Sequence, residues 1–169
     1  QTAAQQGLVS VSLHDGALHD PFDGRADLDR HVLRTPLAPE ISFTDDPLRM
    51  LRAARFLPRF GLVADPELLV AATALADRLE IVSRERIHDE LERLLDVDDP
   101  RGGLAFLSQC GLVPHILGFD PPSDWLEAIG RIDRLEGRRR RRLALLGPLG
   151  SDAAGGVLER LRYSAVDRS

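Results

Sequence analysis

Two adjacent carboxylates and an arginine stand close together in the first third of the chain. Asp45 and Asp46 precede Pro47, and Arg49 follows three positions after Asp46. A guanidinium group presents parallel N–H donors and a carboxylate presents acceptors, so this pair can hydrogen-bond the edge of a nucleotide base. The pattern also has a structural interpretation, because an aspartate before a proline is a common N-cap of a helix.

Further arginines continue from this point at helical spacing. Arg52 and Arg55 lie three and six positions after Arg49, while apolar residues occupy the opposite helical face. Guanidinium groups match the geometry of phosphate, so this basic stripe could contact phosphate or an RNA backbone. Pairing with carboxylates of the chain itself is an equally supported alternative, and the candidates are Glu85, Glu90 and Glu92.

A helix is predicted to position these side chains. Pro47 suits the first helical turn, Asp46 is predicted to cap it, Pro58 to end or kink it, and Gly61 to close it. The periodicity of apolar residues predicts further helices over residues 66–79, 83–95, 101–110, 123–135, 138–146 and 152–163.

The first part of the chain has a different pattern. Alternating residues and turn signals predict short strands at 8–13 and 17–19, with a hairpin turn at 14–16 and a short helix at 25–31 that leads into residues 32–35. Pro36 and Pro39 then predict a linker. The fold class that follows is mainly α: a helical bundle preceded by a short β-hairpin.

Composition excludes several classes of protein. The chain has 22 basic residues, all arginine, and 27 acidic residues; its net charge of −5 argues against indiscriminate nucleic-acid binding but permits a local basic face. No membrane span or secretory signal is recognisable. Cys110 is the single cysteine, so no intrachain disulfide can form and a cytoplasmic location is expected. The five histidines form no cluster, and no metal site is predicted.

Four segments, in the expected order, carry a resemblance to a known family. Residues 43–56 resemble the neck motif of bacterial CCA-adding enzymes and poly(A) polymerases, which reads acidic-Asp-Pro-x-Arg-x-x-Arg-Ala-x-Arg-Phe. Residues 20–28 look like the family's Asp-Pro-Phe-x-Gly-x-x-Asp-Leu, and residues 32–35 match the strand that enters the neck. Residues 83–91 match its Ser-x-Glu-Arg-Ile-x-x-Glu-Leu helix. The resemblance covers at least residues 17–117.

This resemblance implies roles for individual residues. In the family, a carboxylate and an arginine of the neck hydrogen-bond the Watson–Crick edge of the incoming CTP or ATP. Asp46 and Arg49 fall on those positions, and Asp45 stands where the family usually has glutamate. A structural brace behind the base-reading site is matched by Arg84, Glu85 and Arg86.

The catalytic chemistry of the family is expected to lie elsewhere. It transfers a nucleotide to an RNA 3′ hydroxyl with metal ions held by carboxylates of a head domain, in a Gly-Ser segment followed by Asp-x-Asp. Residues 96–98 read Asp-Val-Asp but follow a predicted helix and lack a Gly-Ser partner. No catalytic residue is therefore predicted here, the head is expected to be absent from the chain, and Mg²⁺ is expected only through that head.

The predicted organisation has three parts. Residues 1–36 would be a remnant of the head, residues 37–117 the helical neck and RNA-binding domain, and residues 118–169 a helical body resembling a degenerate HD-type phosphohydrolase region. In that last part, Gly147 and Pro148 stand where the His-Asp pair would be expected.

Three hypotheses about function follow. The chain is part of a working tRNA nucleotidyltransferase, an inactive paralogue serving as an RNA-binding scaffold, or a plain helical interaction module. The only methionine is Met50, which favours a piece of a longer protein, whereas Gln-Thr-Ala at residues 1–3, in place of the family's Arg-Arg-Asp, favours the paralogue. Motif density disfavours the third. The first is preferred, with a tRNA or other RNA 3′ end and CTP or ATP as expected partners.

Overall fold

Helices make up most of the chain in a computed structural model, which describes residues 10–11, 18–122, 125, 127 and 145–163. The α-helices of the described residues are α1 (Gly24–Asp29), α2 (Pro39–Asp45), α3 (Arg49–Phe60), α4 (Pro66–Ala74), α5 (Arg84–Leu95), α6 (Arg101–Gln109), α7 (Val113–Leu117) and α8 (Ser151–Arg160). Short 3₁₀ helices span Ala76–Ile81 and Gly147–Leu149. The predicted mainly α fold class is confirmed.

Among the described residues, four two-residue strands accompany the helices. Strand β1 (Ser10–Val11) pairs antiparallel with β2 (Leu18–His19), which confirms the predicted hairpin pairing, although its predicted turn lies outside the described residues. Strand β3 (Val32–Leu33) pairs in parallel with β4 (Val63–Ala64). This second pairing was not predicted, because two residues are too few to show a strand periodicity.

The start of α1 explains the motif at residues 20–28. The carboxylate of Asp20 accepts hydrogen bonds from the backbone N–H groups of Gly24 and Arg25, both at 2.8 Å. These N–H groups, Arg25 first, lower the pKa of Asp20. One turn later, the buried carboxylate of Asp27 binds the guanidinium of Arg34 at 2.9 Å. The motif therefore fixes both the first turn of α1 and the strand that follows.

The region before α3 differs from the prediction. The expected linker at Pro39 is instead the first turn of α2, whose Ser42 and Phe43 are buried. Local propensity is weak in this short segment, so packing of the buried side chains determines the helix. Asp46 follows α2 in an extended conformation (φ −140°, ψ 99°), and α3 begins at Arg49 rather than at Pro47.

Helix α3 continues through its proline. Pro58 lies inside the helix, which ends at Gly61 with a positive φ of 63°, as the sequence predicts for Gly61. Because Pro58 has no N–H, it cannot donate to the carbonyl of Ala54. Helix α6 lies against this carbonyl at Gly103, where an added Cβ would stand 2.1 Å from the Ala54 oxygen. Only glycine permits this approach of the two backbones.

The later helices agree with the prediction in type and differ in their bounds. The helix predicted over residues 66–79 divides into α4 and a 3₁₀ helix, and the Ser83 hydroxyl caps α5 as predicted, accepting from the N–H of Arg86 at 3.4 Å. Most of the helices predicted over residues 123–135 and 138–146 lies outside the described residues.

The core lies beneath one face of α3 and joins it to α5 and α6. Burying such an apolar side chain contributes roughly 1.5–3 kcal/mol. Its largest fully buried side chains are Phe43, Met50, Leu51, Leu68, Leu79, Ile87, Leu94, Leu95, Leu104, Leu107 and Leu112. Because this apolar face of α3 is turned inward, its arginines are presented on the other side. Among the described helices, none is long and apolar enough to cross a membrane.

Candidate functional site

A cleft of about 650 Å³ opens beside the arginine-bearing side of α3. Its charged lining residues are five arginines and one carboxylate: Arg34, Arg49, Arg52, Arg55, Arg93 and Glu90. The chain as a whole carries a net charge of −5, so this excess of guanidinium groups is a local property of the cleft. Such a surface concentrates anions near it.

Glu90 is the centre of the charge arrangement. Its side chain is 2% exposed, and its two oxygens accept from Arg55 Nε at 3.0 Å, Arg52 Nε at 3.3 Å and Arg93 Nη1 at 3.2 Å. Three guanidinium groups surround a single carboxylate, so the cluster keeps a positive charge. Arg52 and Arg93 remain 42% and 60% exposed, and they carry this charge to the cleft surface.

These contacts decide which of the three candidate carboxylates pairs with the arginine stripe. Arg52 and Arg55 both bind Glu90. Glu85 pairs instead with Arg162 at 3.0 Å, and Glu92 accepts a hydrogen bond from the hydroxyl of Tyr163. The structural pairing of Arg52 and Arg55 is therefore present, and their contact with RNA or phosphate stays a prediction.

The candidate base-reading residues lie at the junction of α2 and α3. Arg49 Nη2 binds Asp45 at 3.0 Å, and Arg49 Nη1 donates to the Ser42 hydroxyl at 3.1 Å. Asp46 accepts from Arg86 Nη2 at 3.0 Å. The predicted capping contact is present, because the carboxylate of Asp46 accepts from the N–H of Leu48 at 3.2 Å in the turn that leads into α3. The prediction that Asp46 shares a helical face with Arg49 is wrong, because Asp46 lies outside α3, which begins at Arg49. Asp45 ends α2.

The three predicted brace residues make contacts in three directions. Arg84 donates to the carbonyl of His115 at 3.0 Å and to Glu80 at 2.7 Å. The hydrogen bond from Arg84 lowers the pKa of Glu80, and it does so more than the hydrogen bond between Glu80 and the side chain of His115. Glu85 reaches Arg162, as described above, and only Arg86 of the three contacts a candidate nucleotide-binding residue.

Two arginines of the cleft, Arg34 and Arg93, were not assigned a role from the sequence, and Glu90 was named there only as one of three possible partners of the arginines. Glu90 falls on the last glutamate of the motif at residues 83–91, and that position was the available signal for it. Arg93 follows three residues later on α5. Arg34 is oriented by the buried Asp27, whose hydrogen bond raises the pKa of Arg34.

A metal site is a separate question. Within the part of the chain that the structure describes, no group of three or more His, Cys, Asp or Glu side chains is placed to hold a metal ion. The expectation that Mg²⁺ is held by a head domain stays a prediction.

Comparison with known proteins agrees with the geometry. Residues 61–122 match a family model described as a probable RNA and SrmB-binding site of polymerase A. The chain is 36% identical over 115 residues to the CC-adding tRNA nucleotidyltransferase of Shouchella clausii. This match covers 68% of this chain and 30% of the relative. It is 40% identical over 105 residues to the CCA-adding enzyme of Bacillus subtilis, covering 62% of this chain and 26% of that enzyme.

Among solved structures, the CCA-adding enzyme of Bacillus stearothermophilus in complex with CTP superposes with a TM-score of 0.82 at 27% identity, over 95% of this chain and 41% of that one. The chain is homologous to a region of the bacterial CCA-adding tRNA nucleotidyltransferases. It corresponds to the neck and body of such an enzyme and spans 25% to 30% of the length of the curated relatives it matches. The domain boundaries proposed at residues 36 and 117 stay predictions.

Proposed function

We propose that this region belongs to a template-independent nucleotidyltransferase that adds CMP or AMP to the 3′ ends of tRNA. In this proposal, Asp46 and Arg49 read the base of the incoming CTP or ATP, and the arginine cleft holds the RNA. The observation that carries it is the continuity of the cleft with Arg49, in a chain homologous to CCA-adding enzymes.

Base reading needs donors and acceptors whose directions are fixed before the nucleotide arrives. Arg49 is oriented by Ser42 and Asp45, and Asp46 is oriented by Arg86 and by its own turn. Neither side chain depends on the other for its position. Such preorganisation reduces the entropy lost when a base edge binds. It supports a site in which protein groups replace a template strand.

RNA binding is supported by exposure and charge. Arg52 and Arg93 keep 42% and 60% of their side-chain surface exposed beside the cleft, while Glu90 binds one nitrogen of each guanidinium group and so positions it. Arginines anchored in this way suit phosphate contacts, which supply most of the affinity for a nucleic acid. The same α5 lies within the residues that match the RNA-binding family model.

Nucleotide transfer itself requires groups that these residues do not supply. Metal-binding carboxylates of a head domain would hold Mg²⁺ and the triphosphate, and the metal would stabilise charge on the transferred phosphoryl group. This chain alone is therefore expected not to extend a tRNA with CTP, ATP and Mg²⁺. Extension by the chain alone would contradict the assignment of its parts. A role in tRNA maturation would place the protein in the cytoplasm.

Titration of tRNA into this chain tests the RNA-binding half of the proposal. Arg52→Ala should weaken binding and reduce the slope of log K against log salt by about one. Arg101→Ala is the matched control, because Arg101 is 44% exposed but does not line the cleft. No detectable tRNA binding by the unmodified chain would refute this half.

Nucleotide titration followed by NMR tests the base-reading half. CTP and ATP should shift the Arg49 Nε–Hε resonance more than UTP and GTP do, and Asp46→Ala should abolish the difference. Equal shifts with all four nucleotides would show attraction of the triphosphate without base reading. That result, together with intact tRNA binding, would favour an RNA-binding scaffold without catalysis.

A further inference from the structure

Arginine and aromatic side chains share the side of α3 that lies opposite its buried apolar face. They occupy positions i, i+3, i+4, i+7 and i+8, which form one stripe on a helix. We call this set of residues the arginine–aromatic stripe, and it consists of Arg52, Arg55, Phe56, Arg59 and Phe60. It begins one turn after Arg49 and continues away from the candidate nucleotide site to the end of the helix, about 16 Å from Arg49 at 1.5 Å per residue.

Four members of the stripe are joined by ring contacts, in the order Arg55, Phe56, Phe60 and Arg59. The Arg55 guanidinium lies 4.4 Å from the centroid of the Phe56 ring, and that of Arg59 lies 5.8 Å from the centroid of Phe60. The two rings are tilted by 43° with centroids 5.7 Å apart. Charge and π-surface are thus joined in a continuous surface rather than scattered.

The exposure of Phe60 is the feature that the fold does not require. Phe60 keeps 52% of its surface in water, whereas Leu57, three positions earlier, is buried at 6%. Arg59, beside it, is also exposed. An apolar protein surface would have to desolvate these guanidinium groups on docking. A ligand that combines negative charge with flat π-faces avoids that penalty, and a single strand of nucleic acid has both properties.

We infer that the stripe is a stacking platform for an unpaired segment of RNA. Phe60 would stack against a base, while Arg59 and Arg52 would contact phosphates on either side of it. This inference rests on the proposed function and extends it, because it adds a specific preference for unpaired nucleotides to a cleft that otherwise attracts any RNA. It also uses residues that lie before the part matched by the RNA-binding family model, residues 61–122.

The test compares a short single-stranded RNA with a blunt RNA duplex, using fluorescence anisotropy and the complete chain. Phe60→Leu should weaken binding of the single strand by about tenfold, the range expected for one base–aromatic stack, and should change duplex binding by less than about twofold. Phe60→Trp keeps a stacking face and should retain the affinity. Val70→Ala is the control, since Val70 is an exposed apolar residue of α4, at 67%.

Arginine variants separate stacking from charge. Arg59→Ala should reduce the salt slope for the single strand by about 0.7, whereas Phe60→Leu should leave that slope unchanged. If Phe60→Leu binds the single strand like the unmodified chain while Arg52→Ala weakens it, the platform is refuted and the proposed RNA binding stands. If the unmodified chain binds neither RNA, both fail. Thermal unfolding of each variant shows whether a loss of binding comes from a loss of folding. If Phe60→Leu does not fold, the affinity of Phe60→Trp for the single strand tests the platform instead, and a weakened affinity of a folded Phe60→Trp would refute it.

Discussion

Arg86 donates through one guanidinium nitrogen to both carboxylate oxygens of Asp46, at 3.2 and 3.0 Å, across 40 positions of sequence. The contact fastens the first turn of α5 to the turn between α2 and α3. It also gives Asp46 a fixed direction, since the same carboxylate accepts from the N–H of Leu48. Arg86 is therefore a positioning residue for the candidate base-reading site.

A double-mutant cycle measures this contact. Arg86→Ala, Asp46→Ala and the double variant should give a coupling free energy of unfolding below about 1 kcal/mol, because the side chains are 50% and 23% exposed and water screens the pair. Urea unfolding supplies the values. A coupling above about 3 kcal/mol would show that the pair is desolvated in solution, contrary to the structure.

Removal of the buried carboxylate should have a larger effect. Glu90→Ala leaves three arginines without their counter-charge, and Arg55, at 13% exposure, has little access to water. We expect the free energy of unfolding to fall by about 2 to 3 kcal/mol, somewhat less than for a fully buried pair because Arg52 and Arg93 can be hydrated.

Glu85→Ala is the matched control for Glu90→Ala, on the same helix. Glu85 and its partner Arg162 are 56% and 68% exposed, so this variant should lose at most about 0.5 kcal/mol. Chemical denaturation of the two variants under one set of conditions compares them directly. Similar losses would show that Glu90 is not the centre of a buried cluster.

Two adjacent glycines of α6 should respond in opposite directions to alanine. Gly103→Ala places a Cβ 2.1 Å from the Ala54 carbonyl oxygen and 2.6 Å from Leu94 Cδ1, so helices α3 and α6 must separate. The expected loss is about 3 kcal/mol. Gly102 has no atom within 4 Å of its added Cβ, and Gly102→Ala should stabilise by about 0.5 to 1 kcal/mol through helix propensity. Melting temperatures test both; two losses of equal size would contradict the close approach at Gly103.

The stability of the fold should depend on pH through Glu80. Hydrogen bonds from Arg84 and His115 lower the pKa of Glu80 below its ordinary value of 4.5 in the folded chain. The stabilising contribution is therefore present above the unfolded pKa, near 4.5, and is lost as pH falls through the lower folded pKa. Glu80→Gln should destabilise the chain at pH 7 and have less effect near pH 3, as measured by urea unfolding. Equal losses at both pH values would exclude this linkage.

Several helices could be predicted from the sequence, because residues close to each helix indicate where it begins or ends. Ser83 caps α5 and Gly61 ends α3 through local backbone geometry, which short-range sequence patterns encode. The family resemblance added the order of the motifs and the identity of Asp46 and Arg49 as candidates, whose individual roles stay predictions.

The remaining features depend on contacts between distant parts of the chain. Helix α2 forms because Phe43 is buried, and a seven-residue segment with little helical propensity gives no sign of that. Three arginines converge on Glu90 from two helices, and spacing within each helix could show only that such a pairing was available. The crossing of α3 and α6 at Gly103 likewise requires knowledge of both helices at once.

The parallel pair of β3 and β4 closes the chain around α2 and α3. Its hydrogen bonds include those from the N–H of Val63 to the carbonyl of His31, at 2.8 Å, and from the N–H of Asp65 to that of Leu33, at 3.1 Å. Because peptide groups make this closure, Val63, which is 69% exposed, can be exchanged for other residues that tolerate extended backbone, whereas Leu33 and Ala64 also pack against the core. Proline at position 63 or 65 is the replacement that this freedom excludes, since it would delete the donor that keeps the cleft wall together.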